Sequence, residues 1–255
     1  MTYLLFLHLL NCHIMVYRTL PPEEFDDLAS RILYEDNHLL VVNKKVGEIV
    51  QGDKTGDEPL SEKYKAFIAQ RDAKPGQVFM GLPHRLDRPV SGITVLAKTS
   101  KSLERLNAMF REGDVHKFYW ALVCSEPPQK KERLTGLIWR NEKQNKSYIC
   151  RPGNLRKDAK QAELIYEYIG KTERYWLVEV ELLTGRHHQI RCQLSDMGCP
   201  IKGDLKYGAP RSNPDGGISL HARRITFLHP VRKEPLTVEA PLPHTWKGLE
   251  SIGKK

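Results

Sequence analysis

Pro83-His84-Arg85-Leu86-Asp87-Arg88-Pro89-Val90-Ser91-Gly92, followed by Ile93-Thr94-Val95-Leu96-Ala97, is the stretch on which the reading of this chain turns. It sets one carboxylate, Asp87, between two arginines in a short loop closed by a glycine, and the apolar run after it reads as a β-strand. Neighbouring cations favour the charged form of a carboxyl group. An ionised and positioned Asp can serve as nucleophile or base, and guanidinium forks match the geometry of phosphate. The same residues would also make an ordinary Arg–Asp surface pair, and the loop alone does not separate the two readings.

Three further segments carry chemistry-bearing residues in compact motifs. They are Lys117-Phe118-Tyr119-Trp120-Ala121-Leu122-Val123, Leu183-Thr184-Gly185-Arg186-His187-His188-Gln189-Ile190-Arg191, and Ser219-Leu220-His221-Ala222 with Phe227-Leu228-His229-Pro230. With His84-Arg85-Leu86-Asp87 and Ser91-Gly92, in this order, they resemble the signatures of the RluA-type RNA pseudouridine synthases. The resemblance runs from about Ile32 to Pro243. One departure is local: the family continues with Lys-Pro before a glycine where this chain has Lys44-Lys45-Val46-Gly47.

The resemblance implies an α+β pseudouridine synthase fold, with a largely antiparallel or mixed β-sheet core flanked by helices and loops. It implies an isomerase that converts uridines of structured RNA, ribosomal large-subunit RNA or tRNA, to pseudouridine without metal or other cofactor. Carried over residue by residue, Asp87 is the nucleophile, attacking sugar or base, or else a base on a glycal route. Tyr119 is the tyrosine that stacks on the flipped base and assists proton transfer at C5. Arg191 is the cation that pairs with the carboxylate. Arg85 fills the space that the flipped base vacates. The other expected RNA contacts are Arg88, Lys117, Arg186, His187, Lys143, Lys146, Arg156 and Lys157. Two rival functions remain open at this level: a non-catalytic RNA-binding or assembly factor on the same scaffold, and a carboxylate-based hydrolase of small anions. Asp87, Tyr119 and Arg191 occurring together argue against the first. The second leaves the basic stretch described next unexplained.

Composition narrows the field less. The chain has 255 residues, is 40% hydrophobic and 28% charged, and carries a net charge of +9, an ordinary globular composition with a lean toward polyanionic partners. Between Gln129 and Glu163 ten basic residues stand against four acidic ones, which accounts for +6 of that charge. The stretch reads either as a solvated surface loop or as an RNA-tracking arm. Five cysteines without paired close spacing favour reduced thiols in a cytoplasmic protein. His188, Cys192 and Cys199 lack a second compact ligand pair, so no metal site is expected. Met1 to Val16 is apolar but has neither a basic start nor a cleavage site, and it is too short to span a membrane. Met15 is an alternative start.

Periodicity supplies the elements. Arg31 to Lys44 reads strand, turn, strand about Asp36-Asn37. Ser100 is the expected N-cap of a helix that carries Leu103, Leu106 and Phe110 and ends near Gly113. Phe118–Cys124 has the aromatic and β-branched richness of a strand, and strands with period two run through Ala162–Tyr168 and Trp176–Leu182. Ile190, Leu194 and Met197 then repeat at helical spacing, stopped by Gly198 and Pro200. The division expected is an N-terminal extension over 1–30, one catalytic domain over 31–245 and a C-terminal tail over 246–255, acting as a monomer.

Overall fold

The structure, a computed structural model, describes residues 17–153, 155–246, 249 and 252; Met15 and the apolar stretch before it lie outside them, as does most of the tail beyond Trp246. One ten-stranded mixed sheet organises the chain. Its strands are β1 (Ile32–Glu35), β2 (Leu39–Lys44), β3 (Ser91–Ala97), β4 (His116–Val123), β5 (Lys131–Asn141), β6 (Lys146–Ile149), β7 (Lys160–Lys171), β8 (Trp176–Leu182), β9 (Leu220–Leu228) and β10 (Pro235–Glu239). The order across the sheet is β1-β2-β3-β9-β4-β8-β7-β5-β6, with β10 also paired to β9. Every named pairing is antiparallel except β3 with β9. Four helices, α1 (Pro22–Ser30), α2 (Leu60–Arg71), α3 (Ser100–Glu112) and α4 (Gln189–Asp196), accompany the sheet, and none of the described helices is long and apolar enough to cross a membrane.

The one parallel junction is short, Ser91 beside His221 and Gly92 beside Ala222, and it sets where the Asp87 loop meets the sheet. Gly92 has φ +110°, and a Cβ there would lie 2.4 Å from the Ala222 carbonyl oxygen. Only glycine combines that backbone with that approach. The Ser91 hydroxyl lies 2.9 Å from His221 Nδ1 across the junction. This assigns structural work to a histidine of the C-terminal motif.

The main core lies under this junction and joins Leu39, Val41, Leu86, Val95, Tyr119, Val178, Ile190 and Leu220. A second cluster packs α1 and α2 beside β2 through Leu28, Leu40, Tyr64 and Phe67. Leu20 belongs to that cluster, so part of the 1–30 extension is packed into the domain. Trp246 and Leu249 of the tail pack against Trp120 and Leu177.

Two sequence expectations shift slightly. The N-cap of α3 is Thr99, not Ser100: its hydroxyl accepts from the Ser102 amide at 3.1 Å while Ser102 Oγ accepts from the Thr99 amide, closing a capping box. Gly113 ends the helix in the left-handed conformation as expected. The basic stretch is a β-hairpin, β5–β6, running into β7, not a loop. Several of its cations meet acids on facing strands or elsewhere, Lys131 with Glu167, Arg133 with Glu163 and Arg151 with Asp196.

Candidate active site

The Asp87 loop is held by its own carbonyls. The Arg88 carbonyl accepts from the Gly47 amide at 2.9 Å, and the Pro89 carbonyl accepts from Ile218 at 3.0 Å. Lys44, fully buried at the end of β2, donates through Nζ to the carbonyls of Lys45, Arg88 and Val90 at 3.0, 3.1 and 2.6 Å. Burial lowers the Lys44 ammonium to about 8, so it remains largely charged near neutrality and sets a cation behind the loop. Lys45, at the family's proline position, pairs with Asp27 of α1.

Three elements converge on Asp87. From α4, Arg191 Nη1 approaches Asp87 Oδ2 at 3.2 Å, while the same guanidinium grips Asp204 through Nε at 2.7 Å and Nη2 at 2.9 Å. The Arg191 side chain is 6% exposed and that of Asp204 1%, so this is a buried, two-pronged pair that fixes the guanidinium before it meets Asp87. From β4, Tyr119 lines the same cavity, and burial with the Asp87 charge pushes its hydroxyl well above the ordinary phenol range. It is a proton carrier at neutral pH. Burial pushes the Asp87 carboxyl above its usual value, while the Arg191 guanidinium and Lys44 pull it back down. A carboxylate so placed is both more basic than usual and kept within reach of its ionised form.

Asp87 stands at the junction of two cavities of about 590 and 530 Å³, each large enough for a nucleotide-sized group. They share Arg85, Leu86, Asp87, His188 and Arg191. Eight Arg and Lys side chains line the pair against three acids, a balance that draws a polyanion toward the carboxylate.

The expected site residues fall into three groups. Asp87, Tyr119, Arg191, Arg85, Lys117, Arg186, His187 and Arg88 line the cleft. Arg85 is exposed, with one long contact to Gln51 at 3.5 Å, whereas Arg88 is engaged with Asp57 and Thr55 at 2.5 and 2.7 Å. Arg186 bonds the Gln161 carbonyl through Nε, and its amide donates to Gln189 Oε1. Lys143 and Lys157 are exposed on or beside the hairpin. Lys146 instead covers the Tyr148 and Tyr207 rings, and Arg156 lies 4.0 Å over Trp139. The hairpin reaches the cleft through Arg140 and Asn145, joined there by Lys206.

Lys44, Asp204 and Tyr207 were not read from sequence as parts of the site. Lys44 looks like a strand end and Gly203-Asp204 like a turn, and nothing in local pattern links either to Asp87, 43 or 117 residues away. Among the described residues no three His, Cys, Asp or Glu side chains form a metal-ligating cluster; Cys192 and Cys199 turn to the carbonyls of Ser147 and Glu126.

Comparison with known proteins decides the family. Residues 38–196 match the family model described as RNA pseudouridylate synthase. The chain belongs to that family. A ribosomal large subunit pseudouridine synthase C of Vibrio vulnificus is 35% identical over 222 residues, which cover 85% of this chain and 67% of the relative. An uncharacterized RNA pseudouridine synthase of Bacillus subtilis is 33% identical over 87% of this chain and 73% of its own length. Among solved structures, human RNA pseudouridylate synthase domain containing 4 superposes with a TM-score of 0.71 at 25% identity, covering 87% of this chain and 92% of that one. The synthase is thus an RNA-modifying isomerase, and its mixed sheet with flanking helices is the fold of its relatives.

Proposed function

We propose that the synthase isomerises uridines in large-subunit ribosomal RNA, with Asp87 as the nucleophile that opens the bond between base and sugar. The observation that carries the assignment of Asp87 is its position at the junction of two cation-lined cavities with Arg191 3.2 Å from one oxygen. Tyr119 stacks on the flipped base and moves the proton at C5; Arg191 keeps the carboxylate charged. Ribosomal RNA is favoured over tRNA because the Vibrio relative is named for the ribosomal large subunit. Pseudouridine mapping in ribosomal RNA and tRNA from a strain lacking the gene tests this, with chemical tagging because isomerisation leaves mass unchanged. Loss of a ribosomal site is the expected result, and loss confined to tRNA would overturn the substrate assignment.

Arg85 is assigned to extruding the uridine. A stacked nucleotide cannot reach a cleft carboxylate, and flipping it costs a few kcal/mol. An exposed guanidinium at the cleft wall can take the vacated place by stacking and still bond phosphate. Arg85→Lys keeps the charge and loses the plane, so turnover on folded RNA should drop about 10-fold or more, while a short unstructured RNA bearing the same uridine is affected less. Equal losses on both substrates would move Arg85 into the chemical step.

RNA affinity should fall steeply with salt, by about 0.9 in log K per log salt for each duplex phosphate contact. Replacing Arg140 and Lys206 by Gln should flatten that slope. Replacing Lys143 and Lys157 tests the outer face of the hairpin in the same titration, and an unchanged slope there would make that face ordinary solvated surface.

A further inference from the structure

His188 occupies the N-cap of α4 with φ +52°, and its side chain is 6% exposed. Its Nε2 lies 3.5 Å from Asp87 Oδ2, the same oxygen that Arg191 approaches. Its Nδ1 lies 3.0 Å from the Tyr207 hydroxyl. That hydroxyl already accepts the Ser147 amide proton at 2.8 Å. A phenol has one proton to give; the Ser147 amide already donates to this oxygen, and among the described residues His188 Nδ1 is the one acceptor within hydrogen-bond distance of the Tyr207 hydroxyl, so the Tyr207 proton is satisfied when it points to Nδ1. A neutral imidazole that accepts at Nδ1 carries its own proton on Nε2, the nitrogen facing Asp87.

We propose that His188 is a positioning residue for Asp87: Tyr207 and the Ser147 amide lock its imidazole into the tautomer that presents Nε2–H to Oδ2, leaving Oδ1 as the attacking oxygen. This rests on Asp87 being the reacting carboxylate. Arg191 and His188 then saturate one carboxylate oxygen and fix the rotation of the group, so its second oxygen is the one presented to substrate. At 3.5 Å the donor is slightly beyond a formed hydrogen bond, and the contact tightens when bound RNA excludes water from the cleft. His188 is a donor and not a counter-ion: burial and the nearby charges of Arg191, His187, Lys206 and Arg140 depress it to about 2. The His187 ring stacks on it at 3.7 Å between centroids, inclined by 23°. The other groups facing Asp87 are Arg191, Lys44 from β2, Asp204 and Tyr119 from β4.

Ser147 lies near the N-terminal end of β6, so the arm that carries Arg140 and Asn145 is linked to the catalytic loop by two hydrogen bonds and the 3.5 Å contact between His188 and Asp87. A tautomer held by a backbone amide cannot drift without displacing β6.

The test begins on the free protein, by ¹⁵N NMR of the histidine side chains at neutral pH. His188, assigned by its disappearance in His188→Asn, should show protonated Nε2 and bare Nδ1, and Tyr207→Phe should convert it to a mixture. A wild-type His188 protonated on Nδ1, or doubly protonated, overturns the proposal whether or not the enzyme is active. Asn tolerates the left-handed backbone and is too short to reach Asp87, so His188→Asn should remove the Nε2 donor together with the Nδ1 contact to Tyr207, and Tyr207→Phe is the control for the second loss. Its kcat should fall about 10-fold or more, the size of one hydrogen bond to a charged group, with KM for RNA little changed. The acid limb of kcat/KM should move to higher pH, since a lost donor leaves the carboxylate easier to protonate. A lower kcat with an unmoved limb, or a change in KM alone, means that His188 serves the fold only. Should Asp87→Asn remain active, the nucleophile assignment falls while the tautomer measurement still stands.

Discussion

Asp87→Asn is expected to abolish pseudouridine formation, by roughly 10⁴-fold or more, the scale on which removal of a covalent nucleophile acts. The amide keeps the shape of the carboxylate and can still meet Arg191 through its oxygen, but it has no charge with which to attack. Folding should change by no more than about 1 kcal/mol, because Arg191 retains its two bonds to Asp204 and the loop carbonyls keep Lys44, Gly47 and Ile218. RNA binding should survive for the same reason. In the wild type, activity requires the ionised carboxyl, and burial raises that group above 3.8, so rate should be lost as pH falls through a value above the ordinary Asp range. Nucleoside analysis after chemical tagging, beside an RNA-binding titration, separates chemistry from affinity. Substantial turnover by Asp87→Asn would remove Asp87 from the mechanism.

Short motifs carried most of the candidate site because each of its chemistry-bearing residues sits in a compact run of its own. Asp87 precedes β3, Tyr119 lies within β4 and Arg191 is in the first turn of α4, and each is flanked by a pattern legible over ten residues. The strands with period two were equally legible, since one face of β7 is buried and the other is not. Helices α1 and α2 were not read from the sequence, for opposite reasons. In α2 the buried positions Leu60, Ser61, Tyr64, Ala66, Phe67 and Ile68 fall around the axis and give no amphipathic stripe. In α1 only Leu28 is fully buried.

A window of sequence is not a surface. Glu167 and Asp196, which neutralise Lys131 and Arg151, lie outside the stretch from 129 to 163, so its apparent excess overstates its field. The cations that face the cleft from that side, Arg140 and Lys206, sit 66 residues apart. Asp204 escaped for the same reason. Its role depends on a guanidinium 13 residues earlier, with a helix C-terminus and a turn between them.

Arg191→Met is expected to destabilise the fold by about 3–5 kcal/mol, the usual result of stripping one partner from a buried ion pair. Asp204, 1% exposed, would be left charged and unpaired in the core, or forced to take up a proton. Activity should fall as well, for a separable reason. Arg191 lowers the Asp87 carboxyl through both its charge and its hydrogen bond; without it the carboxyl rises further, and the acid limb of the pH–rate profile moves toward neutrality. Pairing the change with Asp204→Leu removes the orphaned charge, and hydrophobic replacement of a whole buried pair is often neutral or stabilising. Arg191→Met with Asp204→Leu should therefore recover most of the melting temperature while its acid limb stays displaced and its turnover stays low. Recovery of both stability and rate in the double variant would show that Arg191 serves the fold alone, and Lys44 would then be the remaining cation able to keep Asp87 charged.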